Sequence, residues 1–400
     1  MERNLVQMEK IVKLRGFYLF LGLAGGSFGS YLTLLLVNNG LDAGQVGILM
    51  ATGTLIALCI QPMWGIISDR YNQTRLVLIL SVAVPALLAV FYRSEYFLVL
   101  LLVFTISTIF SSTQAPIADS YAIAAAKKAG STYGSIRLML SLGAAVGSFG
   151  GGWYVSTFSV STIWMPFLFF NLLAVVIALT LPKQAEENHM MSQSFSQGVK
   201  QLLGNRIFLA FLGGSFLVNQ TMTAFGTYFV LAFQSVGGST RYAGIALFIA
   251  SVTNVPSMLY ASKVIKKLGR ERTLLLGAVI YVLRWGIQFA FPYPSVMIGV
   301  QVLHGLSFGF FYIAAVEYVS QITSSEMQAT GQSIFNMVFS GFAGIMGNLL
   351  NGFLFKQGGV GAMNLSCMLS AIAGAVLLLY VARSSQRKLP LHLPSKGIGI

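Results

Sequence analysis

The stretch STYGSIRLMLSLGAAVGSFGGG, residues 131–152, is a long apolar segment that contains one permanently charged side chain, Arg137. Its glycines recur every four residues at Gly143, Gly147 and Gly151, which leaves one face of a helix bare for close packing. A segment of this kind is typical of a helix that crosses a lipid bilayer. Because a charge inside such a helix needs a partner or a water-filled cavity, Arg137 is a candidate functional residue.

The whole chain has the composition of an integral membrane protein. Of its 400 residues, 56% are hydrophobic and only 9% are charged, whereas soluble proteins carry roughly 25% charged residues. The first apolar run, 14–37, is too long for the core of a signal peptide, so we interpret it as a membrane span. Cys59 and Cys367 lie in apolar runs and are predicted to be small core residues. Neither a metal nor a cofactor is expected, because no metal-ligand spacing of Cys and His is present.

Twelve apolar segments, each long enough to cross a membrane as a helix, predict an all-α integral membrane protein. The segments are 14–37, 44–68, 75–92, 97–125, 133–156, 161–181, 207–233, 242–262, 273–291, 295–319, 328–355 and 361–382. The longest polar interval, 182–206, follows the sixth segment and divides the chain into two six-helix bundles. The predicted units are therefore the N-terminal bundle 1–181, a cytoplasmic central loop 182–206, the C-terminal bundle 207–382 and a cytoplasmic tail 383–400.

Positive charge predicts the orientation of these segments. With the N-terminus inside, 20 of the 25 lysines and arginines fall in inside segments and 3 in outside segments; the other two, Arg137 and Arg284, lie within helices. We therefore expect a multi-pass protein of the cell membrane with both termini in the cytoplasm. The same distribution explains the net charge of +14 without a nucleic-acid partner.

The two halves repeat each other. GIISDRYNQTR (65–75) follows the second segment and SKVIKKLGRER (262–272) follows the eighth, at an offset of 197 positions. The same offset relates Gly134 of the fifth segment to Gly331 of the eleventh. A duplicated six-helix unit suits a transporter that has a central site between two rocking halves.

GIISDRYNQTR resembles the loop signature of the major facilitator superfamily, through Gly65, Asp69, Arg70 and Arg75. Asn72 stands where the signature has a second glycine, which is tolerable because asparagine accepts left-handed backbone. The resemblance implies a conformational latch in which Asp69 pairs with a neighbouring base or a helix N-terminus. The alternative is a solvated charged loop.

Two further stretches resemble lactose permease and the phenylpropionate and nucleoside transporters related to it. They are PIADSYAIAAAKKAGSTYGSIR (116–137) and residues 281–319, which include RWG (284–286) and QVLH (301–304). The phenylpropionate type is the nearer match, through these two short motifs and the Tyr-Gly-x-x-Arg of 133–137. The resemblance implies a solute transporter that works by alternating access.

Asp119 and Arg137 each lie nine residues from Lys128, the expected midpoint of the turn between successive helices. Both should therefore reach about 13 Å into a hydrocarbon half-thickness of about 15 Å. Similar depth on antiparallel neighbours permits a bidentate carboxylate–guanidinium contact; the alternative is a purely structural ion pair. In lactose permease the matching acid and base hold the sugar, which implies that Asp119 and Arg137 face the substrate path.

Arg284 and His304 repeat this spacing, each ten residues from Pro294. His304 is the only histidine in a predicted span, and imidazole titrates near neutral pH; the alternative is a hydrogen-bonded structural histidine. The resemblance implies that Arg284 and His304 belong to the substrate and coupling site. Lactose permease has its coupling Glu three residues after the His, where this chain has Ser307, so that scheme does not transfer intact.

Glu317 lies thirteen residues after His304, near the expected cytoplasmic boundary. A gating salt bridge with a cytoplasmic base and a solvated helix end are both open at this point. The proton-coupling candidates are Asp119, His304 and Glu317, since protonation of any of them changes a charge inside the membrane. Four further side chains are predicted to line the cavity: Tyr31, Tyr228, Trp285 and Gln301.

The sequence contains no nucleophile–base arrangement or phosphate-binding loop, so we expect neither an enzyme nor an ATP-driven pump. The first hypothesis is a monomeric proton symporter for a small polar organic solute: a sugar, nucleoside or aromatic carboxylate. The second is drug or metabolite efflux by proton antiport, because residues 143–152 resemble the fifth-helix motif of drug–proton antiporters, although Ser148 stands where that motif has proline. The third is a transporter-derived sensor that binds its ligand without moving it.

Overall fold

Helices form wherever apolar segments must satisfy their backbone hydrogen bonds without water. The computed structural model describes residues 2–71, 73–181, 202–323 and 327–386, without the side chains of 2–7, 65–71, 329 and 385–386. These residues form helices and turns, with no strand in the described ranges. The interval 182–206 lies mostly outside them, so the predicted domain boundaries stay a prediction.

The first half contains the first six spans, two of which are broken in the middle. Its helices are α1 (Glu2–Gly29), α2 (Leu32–Asn38), α3 (Ala43–Tyr71), α4 (Thr74–Leu88), α5 (Phe97–Ser111), α6 (Gln114–Ala129), α7 (Tyr133–Thr157) and α8 (Trp164–Thr180). The first span consists of α1 and α2, and the fourth of α5 and α6. Each of the other four helices is one span.

The second half repeats this pattern with more breaks. Its helices are α9 (Arg206–Asn219), α10 (Met222–Gly226), α11 (Phe229–Ser235), α12 (Thr240–Leu268), α13 (Arg270–Ala290), α14 (Pro294–Gly299), α15 (Gln301–Ile322), α16 (Gln328–Asn336) and α17 (Ala343–Gln386). Helices α9 to α11 form the seventh span, and α14 and α15 form the tenth. The π-helix Met337–Phe342 joins α16 to α17.

The last two spans are joined without a loop. Eleven helices in the described ranges are long and apolar enough to cross a membrane, and the last runs for 55 residues from Thr330 to Ser384. A straight helix of that length would be about 80 Å long, more than twice the thickness of the hydrocarbon core. The backbone turns at Gly358 and at Gly359, where φ is +62°, a conformation that suits glycine. This break separates the eleventh span from the twelfth, which confirms the twelve predicted segments.

The predicted latch lies largely outside the described side chains. The backbone of α3 continues as a helix to Tyr71, but the side chains of Gly65, Asp69 and Arg70 are not described. Arg75, the fourth residue of the signature, donates a hydrogen bond to the carbonyl of Leu179 at the end of α8. It therefore ties the third span to the sixth, and the latch itself stays a prediction.

The two halves meet at one end of the bundle, which carries Asp42 and is called here the Asp42 end. The opposite end, which includes the turn between α6 and α7, is called the Lys128 end. In one junction Tyr31 donates a hydrogen bond to the carbonyl of Ser148 at 2.7 Å. There Gly152 of α7 and Gly244 of α12 are so close that a Cβ on Gly152 would lie 3.0 Å from the Cα of Gly244.

A second junction repeats the first one between the other pair of helices. Tyr228 donates a hydrogen bond to the carbonyl of Asn348 at 3.0 Å. A Cβ on Gly352 of α17 would lie 3.1 Å from the Cα of Gly47 on α3. The offset of 197 positions that relates the predicted loops also relates Tyr31 to Tyr228 and Gly47 to Gly244. The internal repeat therefore builds two similar tyrosine–glycine junctions, one on each side of the interface between the halves.

The glycine face predicted in residues 131–152 packs within the first half rather than on a substrate. A Cβ on Gly147 would lie 2.5 Å from the carbonyl oxygen of Leu23 on α1, and one on Gly151 would lie 2.9 Å from that of Ser27. Gly143 also faces the backbone of α1. Close packing on that face is confirmed.

Candidate functional site

Asp119 on α6 and Arg137 on α7 form the ion pair that their spacing predicts. Nη1 of Arg137 lies 2.8 Å from Oδ1 and 3.1 Å from Oδ2 of Asp119. One guanidinium nitrogen thus contacts both carboxylate oxygens of Asp119. The side chains are 39% and 26% exposed for Arg137 and Asp119, so the pair is not sealed inside the protein.

The predicted midpoint of the turn at Lys128 is wrong, because the turn lies later in the chain and the two residues are not equally far from it. Gly130 adopts φ +63° and ends α6, and Tyr133 begins α7. Asp119 is therefore ten residues from the end of its helix at Ala129, whereas Arg137 is only four residues into its own. The long arginine side chain and the relative tilt of the helices still allow contact.

A third side chain that the sequence interpretation missed belongs to this group. The hydroxyl of Tyr18 on α1 donates a hydrogen bond to Oδ1 of Asp119 at 2.6 Å. Nearby, Nη2 of Arg15 donates to Oγ of Ser135 at 3.0 Å. Nothing in the apolar first span singles out Tyr18 from its neighbours, so only the packing of α1 against α6 identifies it.

Arg284 and His304 lie in the second half, and neither has an acidic partner among the described side chains. Arg284 is 0% and His304 6% exposed. Nη2 of Arg284 donates to Oε1 of Gln301 at 3.2 Å. Phe225 of α10 contacts both predicted residues, with its ring centre 4.7 Å from Cζ of Arg284 and 4.1 Å from the His304 ring centre. The sequence did not indicate Phe225.

Glu317 forms an ion pair with a base of its own half. Nε of Arg270, at the start of α13, lies 3.4 Å from Oε2 of Glu317. Nη1 of Arg270 also donates to Oε1 of Gln321 at 3.2 Å. Of the two possibilities that the sequence left open, the structure therefore has the salt bridge, and it joins the ninth and tenth spans rather than the two halves.

The four predicted cavity-lining residues are all buried between helices in this conformation. Tyr31 and Tyr228 belong to the two junctions described above. Nε2 of Gln301 donates to the carbonyl of Met297 at 2.7 Å, and Trp285 packs against Arg284, whose Cζ lies 4.8 Å from the indole ring centre. Their contact with a substrate path stays a prediction.

The Asp42 end carries an ion pair between the halves that the sequence did not suggest. Nζ of Lys356 lies 3.0 Å from Oδ2 of Asp42. Partial burial opposes ionisation of Asp42, but the Gln45 backbone N–H and the Lys356 ammonium outweigh it, and together they lower the pKa of Asp42. Since a lowered pKa keeps the carboxylate charged down to acidic pH, this pair stabilises the closed Asp42 end throughout the neutral range.

We expect Asp42→Asn to shift the protein modestly towards opening of the Asp42 end, because it removes the charge that attracts Lys356. The two side chains are 39% and 49% exposed for Asp42 and Lys356, so the pair is worth less than about 1 kcal/mol, up to about fivefold in population. Spin-label distances between Asn38→Cys and Gln357→Cys measure that population.

The sign of the pH dependence follows from the lowered pKa of Asp42. The stabilisation of the closed Asp42 end by this ion pair is fully present above the ordinary aspartate pKa of about 3.9. It is lost as the pH falls through the lower pKa that Asp42 has in the folded protein. The wild-type distances should therefore not change between pH 8 and pH 5. If the wild-type distances do change between pH 8 and pH 5, and the change disappears in Asp42→Asn, the lowered pKa of Asp42 is contradicted.

The protein consists of two bundles of membrane-crossing helices that are closed against each other at one end and carry charged side chains within the spans. This architecture defines a membrane transporter rather than an enzyme. The chain belongs to the MFS_1 like family, whose model matches residues 11–365. It therefore has the major facilitator fold and transports a solute.

Similar proteins transport different solutes. The chain is 27% identical to a maltose permease of Geobacillus stearothermophilus, over 92% of this chain and 93% of the permease. It is 24% identical to a probable 3-phenylpropionic acid transporter of Escherichia coli strain K12, over 84% of this chain and 89% of that protein. The crystal structure of the nucleoside transporter NupG matches with a TM-score of 0.78 at 17% identity, over 95% of this chain and 99% of NupG. The fold is shared, while the solute differs among these proteins.

Proposed function

We propose that this transporter is a monomeric proton symporter of the cell membrane that takes up a small polar organic solute. The two bundles, 1–181 and 207–382, rock about a site formed by Asp119 and Arg137 on one side and Arg284 and His304 on the other. The observation that carries the proposal is the partly exposed pair of Asp119 and Arg137, held by Tyr18 inside a membrane-spanning bundle. Charged side chains within membrane spans are costly, and where they occur they mark substrate or ion paths.

The orientation in this proposal rests on the distribution of basic residues. It puts the Asp42 end outside and the Lys128 end in the cytoplasm, with both termini cytoplasmic. The junctions at Gly152 and Gly352 close the outside. We infer that this conformation opens towards the cytoplasm.

Asp119 is the first candidate for the coupling residue. Its carboxylate binds Arg137 and accepts a hydrogen bond from Tyr18, so protonation would weaken contacts between three spans at once. Glu317 is the second candidate, but its partner Arg270 belongs to the same half. A proton on Glu317 would therefore not by itself release one bundle from the other.

The test is uptake into liposomes that contain the purified protein, with an imposed pH gradient. Solute should accumulate when the outside is acidic, and the accumulation should collapse with a protonophore. Accumulation that is insensitive to the gradient would contradict proton coupling. Drug or metabolite extrusion driven by proton entry would support the antiport alternative instead, and saturable binding without any accumulation would support a sensor.

We expect His304→Ala to change the pH dependence of uptake, because His304 is the only histidine in a predicted span and imidazole titrates near neutral pH. His304→Gln keeps a polar side chain that cannot titrate, and it should change the profile in the same way. The measurement is the initial uptake rate from pH 5.5 to 8.5 at constant proton-motive force. If both variants keep the wild-type profile, His304 has no part in coupling.

A further inference from the structure

The two arginines within the spans differ in one respect that bears on the substrate: Arg137 has a carboxylate partner and Arg284 does not. None of the salt bridges among the described side chains includes Arg284. Its nitrogens Nε and Nη1 are buried without a hydrogen-bond acceptor, and only Nη2 has one, on Gln301. A buried guanidinium cannot shed its charge as other groups do, so it requires a negative partner.

The acidic residues whose side chains are not described belong to the opposite end of the bundle in the charge pattern. The eleven acidic residues include five whose side chains lie outside the description, at positions 2, 69, 186, 187 and 326. All five fall in segments that the charge pattern places at the cytoplasmic end of the bundle. Arg284 is six residues from Ala290, the opposite end of α13, or about 9 Å along the helix. Within the described side chains, therefore, no carboxylate supplies its counter-charge.

Two further buried nitrogens without a partner and several aromatic rings lie around Arg284. Nε1 of Trp285 and Nδ1 of His304 are also buried without a partner. The guanidinium lies over the rings of Phe225 and Trp285, at 4.7 and 4.8 Å from their centres. Phe308 stacks on His304 with the ring planes 4° apart. A site lined in this way suits an apolar organic molecule with a single anionic group. It suits a polyhydroxyl solute less well, because such a solute needs many hydrogen-bond acceptors as well as donors.

We infer that the solute is an organic monocarboxylate whose carboxylate binds the Arg284 guanidinium when the Asp42 end opens. The inference rests on the proposed function and names the class of its substrate. Asp119 and Arg137 neutralise each other and leave the first half without a net charge at the site, whereas Arg284 leaves the second half with one positive charge. One carboxylate balances that charge.

The experiment measures thermal stabilisation of the full-length purified protein by 3-phenylpropionate, benzoate and hexanoate, each compared with its neutral amide. The carboxylates should raise the melting temperature and the amides should not. In Arg284→Gln the apparent affinity for the carboxylates should fall at least tenfold, while Arg284→Lys, which keeps the charge, should retain part of it. Arg93→Gln, which removes the same charge from an exposed site at the Asp42 end, is the matched control and should behave as wild type.

Two results would overturn the inference: no carboxylate stabilises the wild-type protein, or Arg284→Gln is stabilised as much as wild type. Because Arg284→Gln could fail to fold, its elution in size-exclusion chromatography is compared with that of wild type, and Arg284→Lys provides the second variant. The pH-gradient uptake assay separates this inference from the proposed function. If carboxylates bind in an Arg284-dependent way but no uptake follows the pH gradient, the proposed proton coupling is wrong and the substrate class stands. If the gradient drives uptake of maltose or uridine and no carboxylate binds, the substrate class is wrong and the coupling stands.

Discussion

Replacing Arg137 by alanine is expected to abolish solute transport while the protein still inserts in the membrane. The change leaves the Asp119 carboxylate inside the bundle with Tyr18 as its hydrogen-bonding partner, since the 2.8 Å contact with Nη1 is lost. Truncating one member of a buried hydrogen-bonded charge pair costs about 2–5 kcal/mol. Because this pair is 39% and 26% exposed, the low end applies, about 2 kcal/mol or roughly 30-fold. Initial uptake rates per mole of reconstituted protein measure the loss, and size-exclusion profiles report insertion.

A double variant distinguishes a functional ion pair of Asp119 and Arg137 from a purely structural one. If Asp119 and Arg137 only hold two helices together, Asp119→Asn combined with Arg137→Gln removes both charges and should restore much of the transport. If they serve substrate or proton, the double variant stays inactive although it folds. Arg93→Ala is the control for loss of a basic side chain. Uptake by Arg137→Ala at the wild-type rate would refute the assignment of this site.

Replacing Gly47 by leucine is expected to prevent closure of the Asp42 end. A Cβ at this position would already lie 2.5 Å from the carbonyl oxygen of Asn348 and 2.9 Å from the Tyr228 hydroxyl, both in the opposite half. Backbone atoms cannot move aside as a flexible side chain can, and overpacking of this kind costs about 1–3 kcal/mol. The closed state should become about 5-fold to 150-fold less populated. Transport should fall with it, because alternating access needs both states.

Closure is measured by cross-linking Asp42→Cys to Lys356→Cys with a short bifunctional maleimide, in a chain whose Cys59 and Cys367 are replaced by serine. Gly47→Leu should lose the cross-link. Gly244→Leu, its counterpart in the other junction, should weaken it as well. Gly150→Leu is the matched control, because a Cβ on Gly150 has no atom within 4 Å. Full cross-linking in Gly47→Leu would show that this junction does not close the Asp42 end.

Part of the candidate site could be predicted because charges inside apolar segments are few. Asp119, Arg137, Arg284 and His304 were identifiable since each interrupts a run of apolar residues. The partner of Arg137 followed from the proximity of successive helices. Tyr18 and Phe225 could not be found in this way, because each is one of many aromatic residues and comes close to the charged groups only through the packing of distant spans.

The twelve spans and their division into two related halves follow from the amino-acid sequence. Membrane helices depend on local properties: apolar length, the position of polar intervals and the distribution of lysine and arginine. Three features are visible only in the folded protein: the closed Asp42 end, the equivalent junctions of Tyr31 and Tyr228, and the lack of an acidic partner for Arg284 within the described side chains. These features depend on distances between helices that are far apart in the chain. Such distances are set by how whole helices pack, and no pattern within one segment records them.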